Sequence, residues 1–274
     1  MKITLKSLMI VLMTFLLSQS LLAEKISTNL KAEYGSASKI SKNLKANGFI
    51  IVGGSKVAKK STHQLLIITH KNLKKFARKD KRGFAAVLRV LINKKKKEVV
   101  VTNPRYFMRA FLQKDFKKGS AKPIMDSLKK ALGDLKPMKD AMDASKLKGY
   151  HFMVAMPYYQ DFETVGKGTP DELLEKITKS KRLLFKLDLS TKGKKRYLVG
   201  VILSKKIEKF NKKLKTMHKA TMLPYMVLLE GKTAKIMHAK YYLAISLPTL
   251  TMGQFMKISS VPDTISRSIK KAFK

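Results

Sequence analysis

Imidazoles, carboxylates and thiolates are the side chains that most often bind metal or move protons, and this chain is sparing with all three. Its 274 residues include five histidines, 18 acidic residues and no cysteine. A thiolate zinc site, a Cys nucleophile, a disulfide framework and a lipid-modified cysteine are therefore excluded. His63, His70, His151, His218 and His238 show neither an i, i+4 helical pair nor an H-E-x-x-H run. The best metal-like stretch is His151-Phe152-Met153-Val154-Ala155-Met156. Imidazole plus thioether is a soft set that suits Cu(I), and on a strand His151 and Met153 share one face while Met156 points away. Methionine also fills cores adaptably, which is the competing reading. The cofactor is left open, with none strongly implied.

Asp161 and Glu163 stand at i, i+2, the spacing that puts two carboxylates on one strand face and could raise one pKa for acid–base work. Solvated edge charges amid many lysines is the plainer account. Neither a Ser-His-Asp order nor a G-x-S-x-G elbow is present. Gly53-Gly54-Ser55-Lys56 and Gly166-Lys167-Gly168-Thr169 both miss the phosphate-loop pattern and read as turns. The aromatic residues are more suggestive. Tyr106-Phe107 lies between Arg105 and Arg109, Tyr241-Tyr242 follows His238 and Lys240, and Tyr158-Tyr159 follows Pro157. Adjacent aromatics at a strand end face opposite sides, so one of each pair is expected in the core and one outside. Tyr106, Arg105, Arg109, Tyr241, His238 and Tyr158 are thus candidates to bind a small anionic or aromatic ligand where two structural units meet. Packing between those units is the alternative.

The chain carries 59 Lys+Arg against 18 Asp+Glu, a formal charge of +41, and 45% hydrophobic residues, enough to bury a core. Only eight of the cations are arginine. Lysine is a hydrated point charge without the bidentate fork used on phosphate and guanine, so nucleic acid is disfavoured as a partner. Anionic envelope lipids, polysaccharides or another exported protein fit better. Export is expected because Lys2 and Lys6 precede an apolar run at 8–17, with a cleavage end following at Ala23. That is the layout of a cleaved signal peptide over 1–23, with an uncleaved anchor as the alternative. No later stretch approaches the ~18–20 apolar residues of a membrane helix.

The chain reads as written twice. Leu65-Leu66-Ile67-Ile68 with a basic amphipathic run to Phe76 matches Val199-Gly200-Val201-Ile202 with a run to Phe210. Gly35 to Leu44 matches Gly168 to Ile177, Arg105-Tyr106-Phe107-Met108 matches Lys240-Tyr241-Tyr242-Leu243, and Leu128-Lys129-Lys130-Ala131-Leu132 matches Ile269-Lys270-Lys271-Ala272-Phe273. Strands are predicted over 26–34, 49–52, 64–69, 85–92 and 98–102, and again over 156–165, 183–189, 197–203, 222–229 and 234–245. Ser36 and Thr169 cap the first helix of each unit, with Pro170 in the first turn. Second helices carry Leu73, Phe76, Ala77 and Ile207, Phe210, Leu214; third helices carry Ile124, Leu128, Leu132 and Ile265, Ile269, Phe273. The expected class is α+β: two repeated βαββαββα-like units, each a mainly antiparallel sheet with helices on one face. The units span 24–133 and 151–274, joined by a linker at 134–150 in which Met138, Ala141 and Met142 suggest a short helix.

With Thr169 to Leu174 opening a helix, Gly48-Phe49 before a strand, Leu223-Pro224-Tyr225 entering a hairpin, Glu230-Gly231 at its turn and Asn103-Pro104 after a strand, the chain resembles the bacterial domain-of-unknown-function family 302. The resemblance implies a compact α+β domain that associates in pairs, here within one chain. It brings no settled activity and so no catalytic residue. Relatives often have Cys after the Leu-Pro step, whereas Tyr225 stands here, and the first unit has Val87-Leu88 without proline.

The expected role is that of an exported envelope binding or accessory protein rather than an enzyme. One alternative is an enzyme or metal carrier with its site between the units, with His151, Asp161 and Glu163 as first suspects. Another is a binder of anionic surfaces through lysines at 71–82, 94–97 and 205–215.

Overall fold

The computed structural model describes residues 24–56, 62–203 and 217–274, with side chains described from residue 220 in the last stretch. The fold is α+β. The predicted second-unit helix with Ile207, Phe210 and Leu214, the lysines at 205–215, the side chain of His218 and the segment 1–23 lie outside the described residues.

Apolar alternation and glycine punctuation give β1 (Lys25–Ser27), β2 (Asn29–Ala32), β3 (Phe49–Lys56), β4 (His63–His70), β5 (Leu88–Asn93) and β6 (Glu98–Thr102). Helices α1 (Ala37–Ala46) and α2 (Lys71–Ala77) lie among them, followed by α3 (Pro104–Leu112) and α4 (Lys122–Leu132). The chain continues through β7 (Lys136–Pro137), β8 (Ala141–Asp143) and β9 (Glu163–Lys167) to α5 (Pro170–Lys179). Then come β10 (Leu183–Asp188), β11 (Arg196–Val201), β12 (Tyr225–Glu230), β13 (Thr233–Ile236), α6 (Ala239–Ser246), α7 (Met252–Met256) and α8 (Val261–Lys270). Ser36 caps α1, and Thr169 forms a reciprocal capping box with Glu172 at α5, as their positions predict.

Two large antiparallel sheets result, in the orders β3-β4-β5-β6-β2-β7 and β10-β11-β12-β13-β9, beside a two-stranded one of β1 and β8. In both, the opening strand of the half closes on the last hairpin strand, and the strand after the first helix forms the opposite edge. The strand expected over 26–34 is broken at Thr28, whose hydroxyl donates to the buried carboxylate of Asp140. The Asn29 amide donates to the same carboxylate at 3.1 Å, and the Thr221 hydroxyl donates to Asn29 Oδ1 at 3.0 Å. A buried carboxylate demands such donors, so the chain turns there and sends β1 to pair with β8. The helix expected around Met138, Ala141 and Met142 is instead this β8 strand, followed by a 3-10 turn at Ala144–Lys148.

Other expectations need correction. Gly53 and Gly54 lie inside β3 at a register shift, not in a turn. A Cβ on Gly53 would meet Phe185 Cβ at 2.9 Å, so glycine is what lets the β3 edge approach β10 of the other sheet. The strand expected over 234–245 ends at Ile236, and a helix follows from Ala239. The strand expected over 156–165 starts only at Glu163. Each half therefore carries a helix the sequence pattern did not predict, α3 and α6.

The two sheets are joined by exchange. The 3-10 turn Gly83–Ala86 packs on β11 and β12, and the 3-10 turn Met217–Met222 packs on β5 and β6. A side chain on Gly83 would run into Leu228 Cδ1. The loop after α2 is held hardest. The guanidinium of Arg196, 2% exposed, donates to the carbonyl of Arg78 and the carboxylate of Asp80, and its Nε lies 2.6 Å from Glu230 Oε2. Glu230 also accepts the N–H of Lys81 at 3.1 Å, while the Tyr159 hydroxyl donates to the Lys81 carbonyl at 2.5 Å. Lys81 sits at φ 63, a left-handed conformation for a residue with a side chain, and both faces of its peptide are gripped by the other half. The Arg196 contact holds the exposed Asp80 carboxyl below the usual carboxylate range.

Truncating one member of a buried ion pair strands the other. Arg196→Ala is expected to lower unfolding free energy by about 3 kcal/mol or more, with Arg196→Lys intermediate because it keeps the charge and loses the fork. Urea denaturation of both variants checks this.

Candidate anion-binding cleft

The aromatic pairs do not sit at strand ends. Tyr106-Phe107 and Tyr241-Tyr242 lie on α3 and α6, at matching positions behind matching caps. The N–H of Arg105 donates to Asn103 Oδ1 at 3.0 Å, and the N–H of Lys240 donates to His238 Nδ1 at 3.2 Å. All four rings are buried, because on a helix neighbouring residues point about 100° apart and both can face a wide seam. The expectation that one of each pair is exposed is therefore corrected for these two pairs, while Tyr158-Tyr159 follows it, with Tyr158 exposed and Tyr159 buried.

These rings do meet between the halves. The Tyr106 hydroxyl donates across the seam to the Ile245 carbonyl at 2.8 Å. The Tyr159 ring lies 5.9 Å from Phe111 and 6.0 Å from Tyr241. Burial pushes the phenols of Tyr106, Tyr159, Tyr225, Tyr241 and Tyr242 up, and that of Tyr150 to about 12. Tyr106 and Tyr241 thus act as packing, not as an accessible binding surface.

The remaining predicted residues are dispersed. Tyr158 is exposed, with the His151 ring 4.5 Å away. His151 and Met153 lie on an irregular loop rather than a strand, with His151 Nδ1 2.7 Å from the Met153 carbonyl oxygen. Among the described residues, no group of three or more His, Asp or Glu is placed to hold a metal ion. Asp161 and Glu163 do not act as a pair. Asp161 accepts the N–H of Tyr158 at 2.8 Å, whereas Glu163 meets Ser266, His238 at 3.6 Å and Lys270 at 3.9 Å. His238 caps a helix and contacts Glu163, away from any exposed aromatic of its own pair.

Arg105 and Arg109 are different. One helical turn apart on α3, they open into a cleft of about 450 Å³ formed with the start of β1, the segment after α3 and the first two turns of α4. Lys122, Met125, Asp126 and Lys129 share one face of α4 by their i, i+3, i+4, i+7 spacing and form the far wall. The floor is apolar, with Ile26, Ala121, Phe116 and Met125. Five cations, adding Lys118, face two carboxylates, Glu24 and Asp126. Asp126 is paired with Lys122 at 2.7 Å. Glu24 binds Arg105 and lies 3.8 Å from Arg109, whose guanidinium also stacks 5.1 Å from the Phe116 ring. Helix α4 opens into the cleft without a side-chain cap, which adds its positive dipole end to the same field.

The sequence supplied the two arginines but not Glu24, Phe116 or Lys118. Helical periodicity around Ile124 and Leu128 could have placed Lys122 and Lys129 on the opposite flank of α4; nothing local joins that flank to residue 24. In comparison with known proteins, no family profile, curated protein or solved structure matches this chain.

Raised phenol pKa values have a definite sign. Stability from the buried tyrosines is complete below the free value of about 10 and is lost as pH rises above it. Alkaline titration at 295 nm is therefore expected to show most tyrosine ionising together with unfolding, in one cooperative step matched by circular dichroism.

Proposed function

We propose that this chain is an exported binding or accessory protein of the cell envelope that holds an anionic amphiphile in the α3–α4 cleft. The observation that carries the reading is the Arg105–Arg109 pair, set above an apolar floor and already engaging a carboxylate, that of Glu24. A carboxylate or phosphate head would take the place of the Glu24 carboxylate, and a short apolar tail would lie over Ile26, Phe116 and Met125. The volume is within the usual ligand range of roughly 300–1,000 Å³. The chemistry demanded is charge plus apolar area, so neither half alone suffices as ligand.

The basic, apolar and small-residue succession before Glu24 supports export. The shared strand order of the two sheets supports reading residues 24–133 and 151–274 as two copies of one unit, in keeping with a pairwise domain like that of family 302. Among the described residues no helix is long and apolar enough to cross a membrane. Catalysis has less support, since Glu163 is committed to His238, Ser266 and Lys270 and Asp161 to a backbone N–H.

Calorimetric titration with octyl phosphate and with octyl glucoside tests the reading. Charged hydrogen bonds contribute about 1.5–3 kcal/mol each, so R105A/R109A is expected to weaken octyl phosphate roughly a hundredfold. The neutral glucoside should bind neither protein. Equal affinity of wild type and variant for octyl phosphate would refute the assignment.

A further inference from the structure

Eight large apolar side chains stand out as exposed among the described residues, and five of them fall in two segments: Met153, Val154 and Tyr158, and Met252 and Met256. Val154 is 90% exposed and Met256 61%. The two segments are far apart in sequence but joined in space. Phe152 turns inward and its ring lies 5.5 Å from that of Phe255 on α7. This pair, Phe255 buried and Phe152 partly buried, anchors the loop to the helix, and their sequence neighbours are the side chains left outside. The loop is braced a second time where the His151 ring meets Tyr158 at 4.5 Å.

The charge of the two segments themselves has one sign. Residues 144–160 and 247–262 contain no carboxylate, and they contribute Lys146, Lys148 and Lys257. Acids stand at the borders: Asp143 pairs with Lys146 at 3.3 Å, the exposed Asp161 accepts the Tyr158 N–H, and Asp263 lies in the first turn of α8. The chain as a whole carries +41.

We infer that the 151–158 loop and α7 form a docking surface for an anionic lipid bilayer, with Met153, Val154, Met252 and Met256 entering the headgroup region and Lys148 and Lys257 meeting lipid phosphates. Apolar side chains on segments that carry lysine and no acid of their own match the two attractions that hold a protein at such a surface: apolar burial and charge. Methionine adapts its shape to a fluid partner better than a branched or aromatic residue does. A patch of this kind on a water-exposed face calls for a partner. The inference is independent of the cleft, which lies on α3 and α4, so either can fail without the other.

The absence of cysteine allows one reporter at a time. Full-length V154C, M256C and, as a control in a distant hairpin turn, K95C are each labelled with nitrobenzofurazan and mixed with vesicles. The vesicles are phosphatidylcholine alone or phosphatidylcholine with phosphatidylglycerol. The expected result is a blue shift and quenching by nitroxide-labelled acyl chains at 154 and 256 on the anionic vesicles, neither change at 95, and little change on neutral vesicles. Adding V154D, a change at a solvent-exposed position, should abolish the shift at 256, and high salt should reduce it. A shift of equal size at 95 would show that the surface is not specific and would overturn the inference. So would equal shifts on neutral vesicles, or no shift at 154 and 256, and in the last case the patch would be assigned to a protein partner.

Discussion

A guanidinium removed from water must be surrounded by acceptors, and the surroundings of Arg196 organise the whole molecule. Burying an ion costs several kcal/mol unless carboxylates and carbonyls replace its hydration. Here the replacements come from both halves: Glu230 from β12, and Asp80 and the Arg78 carbonyl from the loop after α2. The same Glu230 carboxylate accepts the Lys81 N–H, so the left-handed turn at Lys81 is fixed by a residue 149 positions away. With that loop held, the turn Gly83–Ala86 falls against β11 and β12, where only glycine fits beside Leu228. Polar pairing sets the position, and apolar burial around Phe84 supplies most of the driving force.

The cleft follows from that arrangement. Helix α3 packs one side into the seam through Tyr106 and Phe107, which leaves the Arg105 and Arg109 side toward β1 and α4. The start of β1 is in place because Thr28 breaks the strand over the buried Asp140 and directs β1 to β8. Glu24 can then reach the arginines. The sequence of causes runs from buried polar groups, through the seam, to a pair of guanidiniums beside apolar side chains, Arg105 exposed and Arg109 part-buried.

How far this was legible depends on whether a signal is local. Ser36 and Thr169 announced their helices because a cap and a first turn lie within four residues. Glu98–Thr102 was bounded correctly by a tight polar turn and an Asn-Pro step. That same Asn103-Pro104 step was also a helix start, with a capping side chain and proline in the first turn, and the reading passed over it. His238 is a less usual cap, so α6 was absorbed into a strand. An adjacent aromatic pair read as strand exposes one ring, whereas helix geometry at the seam buries both rings of Tyr106-Phe107 and of Tyr241-Tyr242. Arg105 and Arg109 stand out in the sequence because they flank an aromatic pair, but Glu24, Phe116 and Lys118 complete the cleft only through tertiary contact, which has no period to detect. The carboxylates at 161 and 163 failed as a pair because strand β9 begins at the second of them.

The central claim is that the arginine cleft holds an anionic amphiphile. Native mass spectrometry of the protein taken from its own compartment, beside R105A/R109A prepared in the same way, tests it most directly. The account expects an excess mass on the wild type that denaturation releases as an anionic amphiphile, and its loss in the variant. Bare chain mass in both, or the same adduct retained by the variant, would contradict it.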